Sequence, residues 1–247
     1  MNGYHYFYKT DIGRVRKINE DNCIAITNNY NEILLLLLDG MGGHQKGDVA
    51  SKLALEYIKQ EFLKRNAPFK NSLSMRHWFI GAIRNANDHV NKIASKSNDM
   101  KGMGTTCVGV LISEDRTLFI NVGDSRGYVY HDHKLIQVTE DETYSNFLYK
   151  SGKIKKEEVM YHEKRNVLTN ALGVYPKLSI TSLFYKEPYK RILLCSDGLY
   201  TMVDIRDLER ILNKDIDVED MVEELIILAN NNGGKDNIGI VLCEVVK

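Results

Sequence analysis

The stretch "ILLLLLDGMGGHQKGDVAS", residues 33–51, decides how this chain is read. Six consecutive apolar residues, Ile33–Leu38, run into Asp39, then a glycine-rich turn, then a segment with helical periodicity. A strand apolar at every position is covered on both faces, so it belongs in the middle of a layered structure. Asp-Gly is also a common turn pair, so Asp39 is either a turn residue or a carboxylate delivered on purpose to the rim of that layer.

Outward from this stretch, further strand patterns precede it at 22–27 ("NCIAIT") and follow it at 104–112, 117–122, 127–131 and 134–139. Others come at 178–185, 191–196 and 237–245. Helical periodicity places Ala50, Leu53, Ala54, Tyr57, Ile58 and Phe62 on one face, with Asp48 as the N-cap. A second helix carries Phe79, Ala82, Ile83, Ala86, Val90 and Ile93. A polar, helical region is expected over 142–171, and helices over 204–212 and 218–230. Strands in runs, broken by helix pairs, favour an α+β fold with antiparallel sheets. No linker, repeat or low-complexity tract divides the 247 residues, so a single domain is expected over 1–247.

Composition narrows the function. Lys plus Arg and Asp plus Glu both number 33, so the net charge is zero and the basic excess of a duplex-binding protein is absent. No apolar run approaches the roughly 20 residues of a membrane span, and no signal peptide pattern opens the chain. Cys23, Cys107, Cys195 and Cys243 lie scattered in apolar segments, which reads as buried thiols in the cytoplasm.

Several acids share one grammar. Asp39, Asp124 and Asp197 each follow a strand and precede or follow glycine; Asp236, and the pair Glu20 and Asp21, each stand just before one. Carboxylates gathered at one rim repel each other and are costly to bury without cations. If these strand ends converge, they form a metal cage. All-oxygen donors suit Mg²⁺ or Mn²⁺ rather than zinc. Two such ions about 3.5–4 Å apart activate a water and hold a phosphoryl group for in-line attack. Asp39 is the natural bridging ligand, Gly40 could add its carbonyl, and Arg16 has the planar fork for phosphate, though without the motif context a surface charge in the basic patch Arg14, Arg16 and Lys17 is the slightly favoured reading. His131-Asp132-His133 resembles a metal clip but reads better as a turn between strands.

Seven motifs in order, "TDIGRVRKINEDN", "LLDGMGGHQKGDVAS", "GMGTTCVGVLI", "NVGDSRGYVY", "HEKRNVLTNALG", "LLCSDGLYTMV" and "GGKDNIGIVL", resemble the metal-dependent serine/threonine protein phosphatases of type 2C, above all compact bacterial members. The resemblance spans Thr10 to about Leu242. It implies a four-layer α-β-β-α sandwich, two stacked antiparallel sheets flanked by helices. It also implies hydrolysis of phosphoserine and phosphothreonine in proteins at two Mn²⁺ or Mg²⁺ ions, with a third, weaker ion in some members.

By the same resemblance Asp39 bridges the metals, with the Gly40 carbonyl, Asp197 and Asp236 as further ligands. Glu20 and Asp21 hold coordinated water, Asp124 marks the third site with Asp141 facing it, and Arg16 binds phosphate. A flap is implied at about 141–162. His44 either protonates the leaving oxygen or orders its loop. The implied partners are phosphorylated proteins, the targets of a cognate serine/threonine kinase, met by a monomer. Asp48, Asn121, Gly127, Glu163 and Gly239 depart from the common pattern at positions that carry no expected ligand.

Two other readings share the cage: a phosphohydrolase of small metabolites, and an inactive phosphoprotein-binding domain. The second would be marked by loss of a metal acid, and none is lost. A haloacid-dehalogenase-type mechanism needs a second Asp two residues after the first, where this chain has Met41.

Overall fold

The structure is a computed structural model that describes residues 3–42, 46–96, 100–175 and 177–246. Strands β1 (Gly3–Asp11), β2 (Asp21–Thr27) and β3 (Ile33–Met41) come first. Helices α1 (Lys46–Leu63) and α2 (Ser72–Ala94) follow. Then come β4 (Gly104–Thr105), β5 (Cys107–Ser113), β6 (Arg116–Val122), β7 (Arg126–His131) and β8 (Lys134–Gln137). Helix α3 (Tyr144–Lys150) and a 3₁₀ turn (Lys156–Tyr161) lead to β9 (Thr181–Tyr185) and β10 (Arg191–Cys195). The chain closes with α4 (Asp197–Tyr200), α5 (Ile205–Leu212), α6 (Val218–Asn231) and β11 (Ile238–Val246).

Two antiparallel sheets result. One runs β1-β11-β10-β7-β8; the other runs β2-β3-β5-β6-β9, with β4 paired to the end of β3. Strand alternation explains why β3 is apolar throughout. Leu34, Leu36 and Leu38 pack with α1 and α2 on the outer face, in one cluster with Ala54, Ile58, Phe79 and Ile83. Leu35 and Leu37 face the other sheet and meet Val129, Ile192, Leu194 and Val241. The second sheet buries Leu193, Ile240 and Leu242 against Leu208, Ile211, Met221 and Leu225 of α5 and α6. The layers are therefore helix, sheet, sheet, helix, as expected.

Four local expectations change. β1 was not visible as a strand, because aromatic residues occupy both of its parities ("YHYFY") and it lies partly exposed beside β11. Asp48 lies in the first turn of α1 rather than at its N-cap, since the helix already includes Lys46. The region 142–171 is not one helical block; its described helices are α3 and the 3₁₀ turn, and turns, an isolated strand bridge and side-chain hydrogen bonds organise the remainder. Asp39 stands inside β3, not in a turn, because Gly40 and Met41 continue the strand by pairing with Thr105 and Gly104. His131-Asp132-His133 does form the hairpin corner: Asp132 and His133 have φ of 46° and 63°, both left-handed as a type I′ turn requires.

Candidate metal centre

Alternation along β3 puts Asp39 on the same face as Leu35 and Leu37, between the sheets. Its backbone is saturated. Asp39 N–H donates to Thr106 Oγ1 (3.0 Å), and its carbonyl accepts from Thr106 N–H (2.8 Å) and Thr105 Oγ1 (2.9 Å). Only the carboxylate is left to work. Asp21 is the direct cross-strand partner of Asp39.

Gly40 has no room for a side chain: a Cβ there would sit 2.3 Å from the Gly47 carbonyl oxygen and 2.6 Å from that of Glu20. Three chain segments thus meet at backbone distance. Glu20 ties them together. Its carbonyl accepts from Gly40 N–H (3.1 Å) and Ser51 Oγ (2.6 Å), while its Oε1 accepts from Gly47 N–H (3.0 Å) in the first turn of α1. A carboxylate on the free amides of a helix start satisfies donors that have no intrahelical acceptor.

The other sheet supplies the remaining acids. Asp197 opens the short α4 directly after β10, and Asp236 lies just before β11. Two residues that sequence reasoning missed hold the sheets in register here. Ser196 Oγ donates to Asp21 Oδ2 (2.6 Å) and accepts from Gly239 N–H (2.8 Å). Asn237 Oδ1 accepts from Glu20 N–H (2.9 Å), while its Nδ2 donates to the carbonyls of Ile12 (3.0 Å) and Ile18 (2.9 Å). Their only sequence signal is adjacency to Asp197 and Asp236.

Glu20, Asp39, Gly40, Asp124, Asp197 and Asp236 line one cleft of about 500 Å³, with Arg16 at its side. Asp21 lies buried beneath, on Ser196. His44 falls outside the described residues. Burial, reinforced by the charges of Asp197 and Asp236, pushes the Asp21 carboxyl up to about 7. Burial and the neighbouring acids push Asp124 up to about 7, Asp197 up to about 6 and Asp39 well above the usual carboxylate range. Glu20 is raised by its burial as well.

Arg16 is bonded directly to this set. Arg16 Nη2 lies 2.6 Å from Asp236 Oδ2, so the guanidinium expected to hold phosphate is engaged with an expected metal acid. Among the described residues no three of these side chains close on a single ion-sized point. A set of oxygen donors whose burial and mutual repulsion raise their pKa values, with Arg16 against one of them, fits hard divalent cations.

Asp141, expected to face a third ion, is engaged by Arg126. Both its oxygens accept from Arg126, at 3.0 Å and 2.7 Å, and the Arg126 guanidinium lies 3.6 Å over the Tyr200 ring. Tyr200 Oη in turn donates to the Asp124 carbonyl (3.2 Å). Glu142 pins the preceding residue twice: its N–H donates to the Gly123 carbonyl (2.9 Å), and its Oε2 accepts from Gly123 N–H (2.8 Å). Asp124 is therefore held through its backbone by the start of the 141–162 segment.

Comparison with known proteins is consistent along the whole chain. The profile of the family described as Protein phosphatase 2C matches residues 14–242. The serine/threonine phosphatase stp of Listeria monocytogenes is 36% identical, over 97% of this chain and 95% of its own. The solved serine/threonine phosphatase of S. agalactiae superposes with a TM-score of 0.93 at 30% identity, covering 99% of this chain and 100% of that one. The catalytic domain of the serine/threonine protein phosphatase PstP, solved in complex with two manganese ions, has a TM-score of 0.86 at 32% identity, with full coverage of both chains.

Proposed function

The chain belongs to the protein phosphatase 2C family, and from that premise we propose how its own residues carry out the reaction. It is a metal-dependent protein serine/threonine phosphatase of the compact bacterial type, hydrolysing phosphoserine and phosphothreonine in proteins at a dinuclear Mn²⁺ or Mg²⁺ centre. The ions supply Lewis acidity for the phosphoryl group and a nucleophile from water at neutral pH.

Asp39, on the inter-sheet face with its backbone fully bonded, is the proposed bridging ligand. Gly40 would offer its carbonyl beside it, and Asp197 and Asp236 would complete the set of ligands that holds the pair of ions. Glu20 and Asp21 form an outer ring of acceptors, of which Glu20 is fixed by the α1 amides and Asp21 by Ser196. Asp124 is proposed for the weaker third ion. Arg16 grips phosphate in this reading, and does so by exchanging its contact with Asp236 for phosphate oxygens. On sequence grounds His44 is the proposed proton donor to the leaving oxygen.

The segment 141–162 is proposed as a flap anchored at Asp141 and Glu142, within a single phosphatase domain over 1–247. Among the described residues no helix is long and apolar enough to cross a membrane, and the four cysteines are unpaired. On the resemblance to compact bacterial members, we further propose a cytoplasmic, monomeric enzyme acting on the targets of a serine/threonine kinase.

The single observation that carries this reading is the convergence of Glu20, Asp39, Asp124, Asp197 and Asp236 from both sheets on one cleft. The test is a Mn²⁺-titrated assay of a phosphothreonine peptide beside sugar phosphates, with a chelated control. Turnover of the peptide alone, abolished by chelator and restored by Mn²⁺, is expected. Preferential turnover of sugar phosphates would replace the reading with a metabolite phosphohydrolase, and no turnover at all with a binding domain.

A further inference from the structure

The chain carries no net charge, yet the two rims of the acidic cleft are both cationic and apolar. One rim is the loop before β2. Arg16, Lys17 and Ile18 line the cleft there, and Val15 beside them is 65% exposed. The other rim is the stretch before β9, where Asn166 and Leu168 line the cleft. Val167 between them is 50% exposed, and Lys164 and Arg165 stand just ahead in the open. Among the described residues Lys17, Lys164 and Arg165 have no carboxylate partner, whereas Lys150 on the same segment pairs with Glu140.

Both rims are held in place before anything binds. Asn237 Nδ2 clamps the first through the carbonyls of Ile12 and Ile18. The second is folded into a turn by Arg165 N–H to His162 O (3.0 Å) and Val167 N–H to Lys164 O (3.1 Å), and the Val167 carbonyl accepts from Tyr144 N–H (2.7 Å). Unpaired cations flanked by exposed apolar side chains, fixed on either side of a reaction cleft, form a surface complementary to one kind of polypeptide.

We propose that these rims select phosphoprotein segments with acidic residues on both sides of the phosphorylated residue. The inference rests on the phosphatase reading and names the substrate class of that site. An acidic segment laid across the cleft places its carboxylates against Lys17 on one side and Lys164 and Arg165 on the other, while Val15 and Val167 exclude water from those contacts. A basic segment meets like charge at both rims.

The test uses the full chain with Mn²⁺ and three phosphothreonine peptides of equal length, with acidic, neutral or basic flanks. A small aryl phosphate, which carries no flanking residues, is the reference. Each exposed ion pair contributes a factor of roughly 1.5–5, so KM for the acidic peptide should be about tenfold below that for the basic one at low salt. The gap should narrow as salt shortens the screening length. The double variant Lys164→Glu/Arg165→Glu should close or invert the gap with turnover of the aryl phosphate unchanged; Lys17→Glu on the opposite rim, inside the cleft lining, should do so in the ratio of acidic-peptide to basic-peptide KM, each taken relative to the aryl phosphate in the same variant. Equal KM for the three peptides, or a gap untouched by both variants, overturns the inference and leaves the phosphatase reading standing. Absence of turnover on every substrate overturns the phosphatase reading and the inference with it.

Discussion

Asp21 and Asp39 are direct Cα partners across β2 and β3, so two carboxylates leave neighbouring strands side by side between the sheets. Like charges opposite each other on a sheet are destabilising, and here Asp21 is buried and Asp39 half-buried at the cleft wall, with Asp197 and Asp236 close by. The arrangement is costly for the protein alone and favourable once divalent cations share it.

That cost has a sign that pH reveals. A carboxyl raised in the folded state contributes stability below its ordinary value near 4 and loses it as pH rises through the folded value. The folded values are about 7 for Asp21 and Asp124 and about 6 for Asp197. The chelated protein should therefore be more stable at pH 5 than at pH 7.5, by on the order of a few kcal/mol. Saturating Mn²⁺ should raise Tm more at pH 7.5 than at pH 5, because ions and protons compete for the same oxygens. Thermal melts at the two pH values, with and without Mn²⁺, check this; a chelated Tm that climbs from pH 5 to 7.5 contradicts it.

Arg16 is bonded to Asp236 at 2.6 Å, so it is expected to act on two equilibria in opposite directions. Arg16→Ala removes a charge-assisted grip on phosphate and should raise KM for a phosphopeptide on the order of tenfold, with a smaller change in kcat. The same substitution frees Asp236, so Mn²⁺ should bind at least as tightly as to the wild-type chain. Kinetics paired with calorimetric Mn²⁺ titration separate the two; weakened Mn²⁺ binding would show that Arg16 supports the metal acids rather than competing for one.

Two glycines should respond with opposite signs. At Gly198 a Cβ would lie 1.9 Å from the Asn237 carbonyl, a backbone atom that cannot step aside. Gly198→Ala should cost more than about 3 kcal/mol and lower Tm by about 10 °C in a chain of this size. At Gly81, inside α2, nothing lies within 4 Å of the added carbon. Gly81→Ala should stabilise by roughly 0.5–1 kcal/mol. Melting curves of the two variants decide both.

What could be read from sequence tracks how local its cause is. The doubly buried β3 and the acids at strand ends were legible, because each is written in a few consecutive residues. That Asp39 sits within a strand was not, since β4, more than sixty residues on, pairs with Gly40 and Met41. Ser196 and Asn237 were missed for a similar reason: their work is to join Asp21 and Glu20 to the opposite sheet. The region after Glu142 misled because its order comes from bonds between distant residues, such as Thr169 N–H to the Glu142 carbonyl (2.8 Å) and Asn170 Nδ2 to Glu142 Oε2 (2.7 Å), which leave no periodic trace.

Equilibrium Mn²⁺ binding to wild type and Asp39→Asn, measured by calorimetry on metal-stripped protein, tests the account at its centre. Two ions per wild-type chain are predicted, with the Asn variant losing the pair together with phosphopeptide turnover while keeping a folded melt. An Asp39→Asn chain that still takes up two ions with undiminished affinity would contradict it.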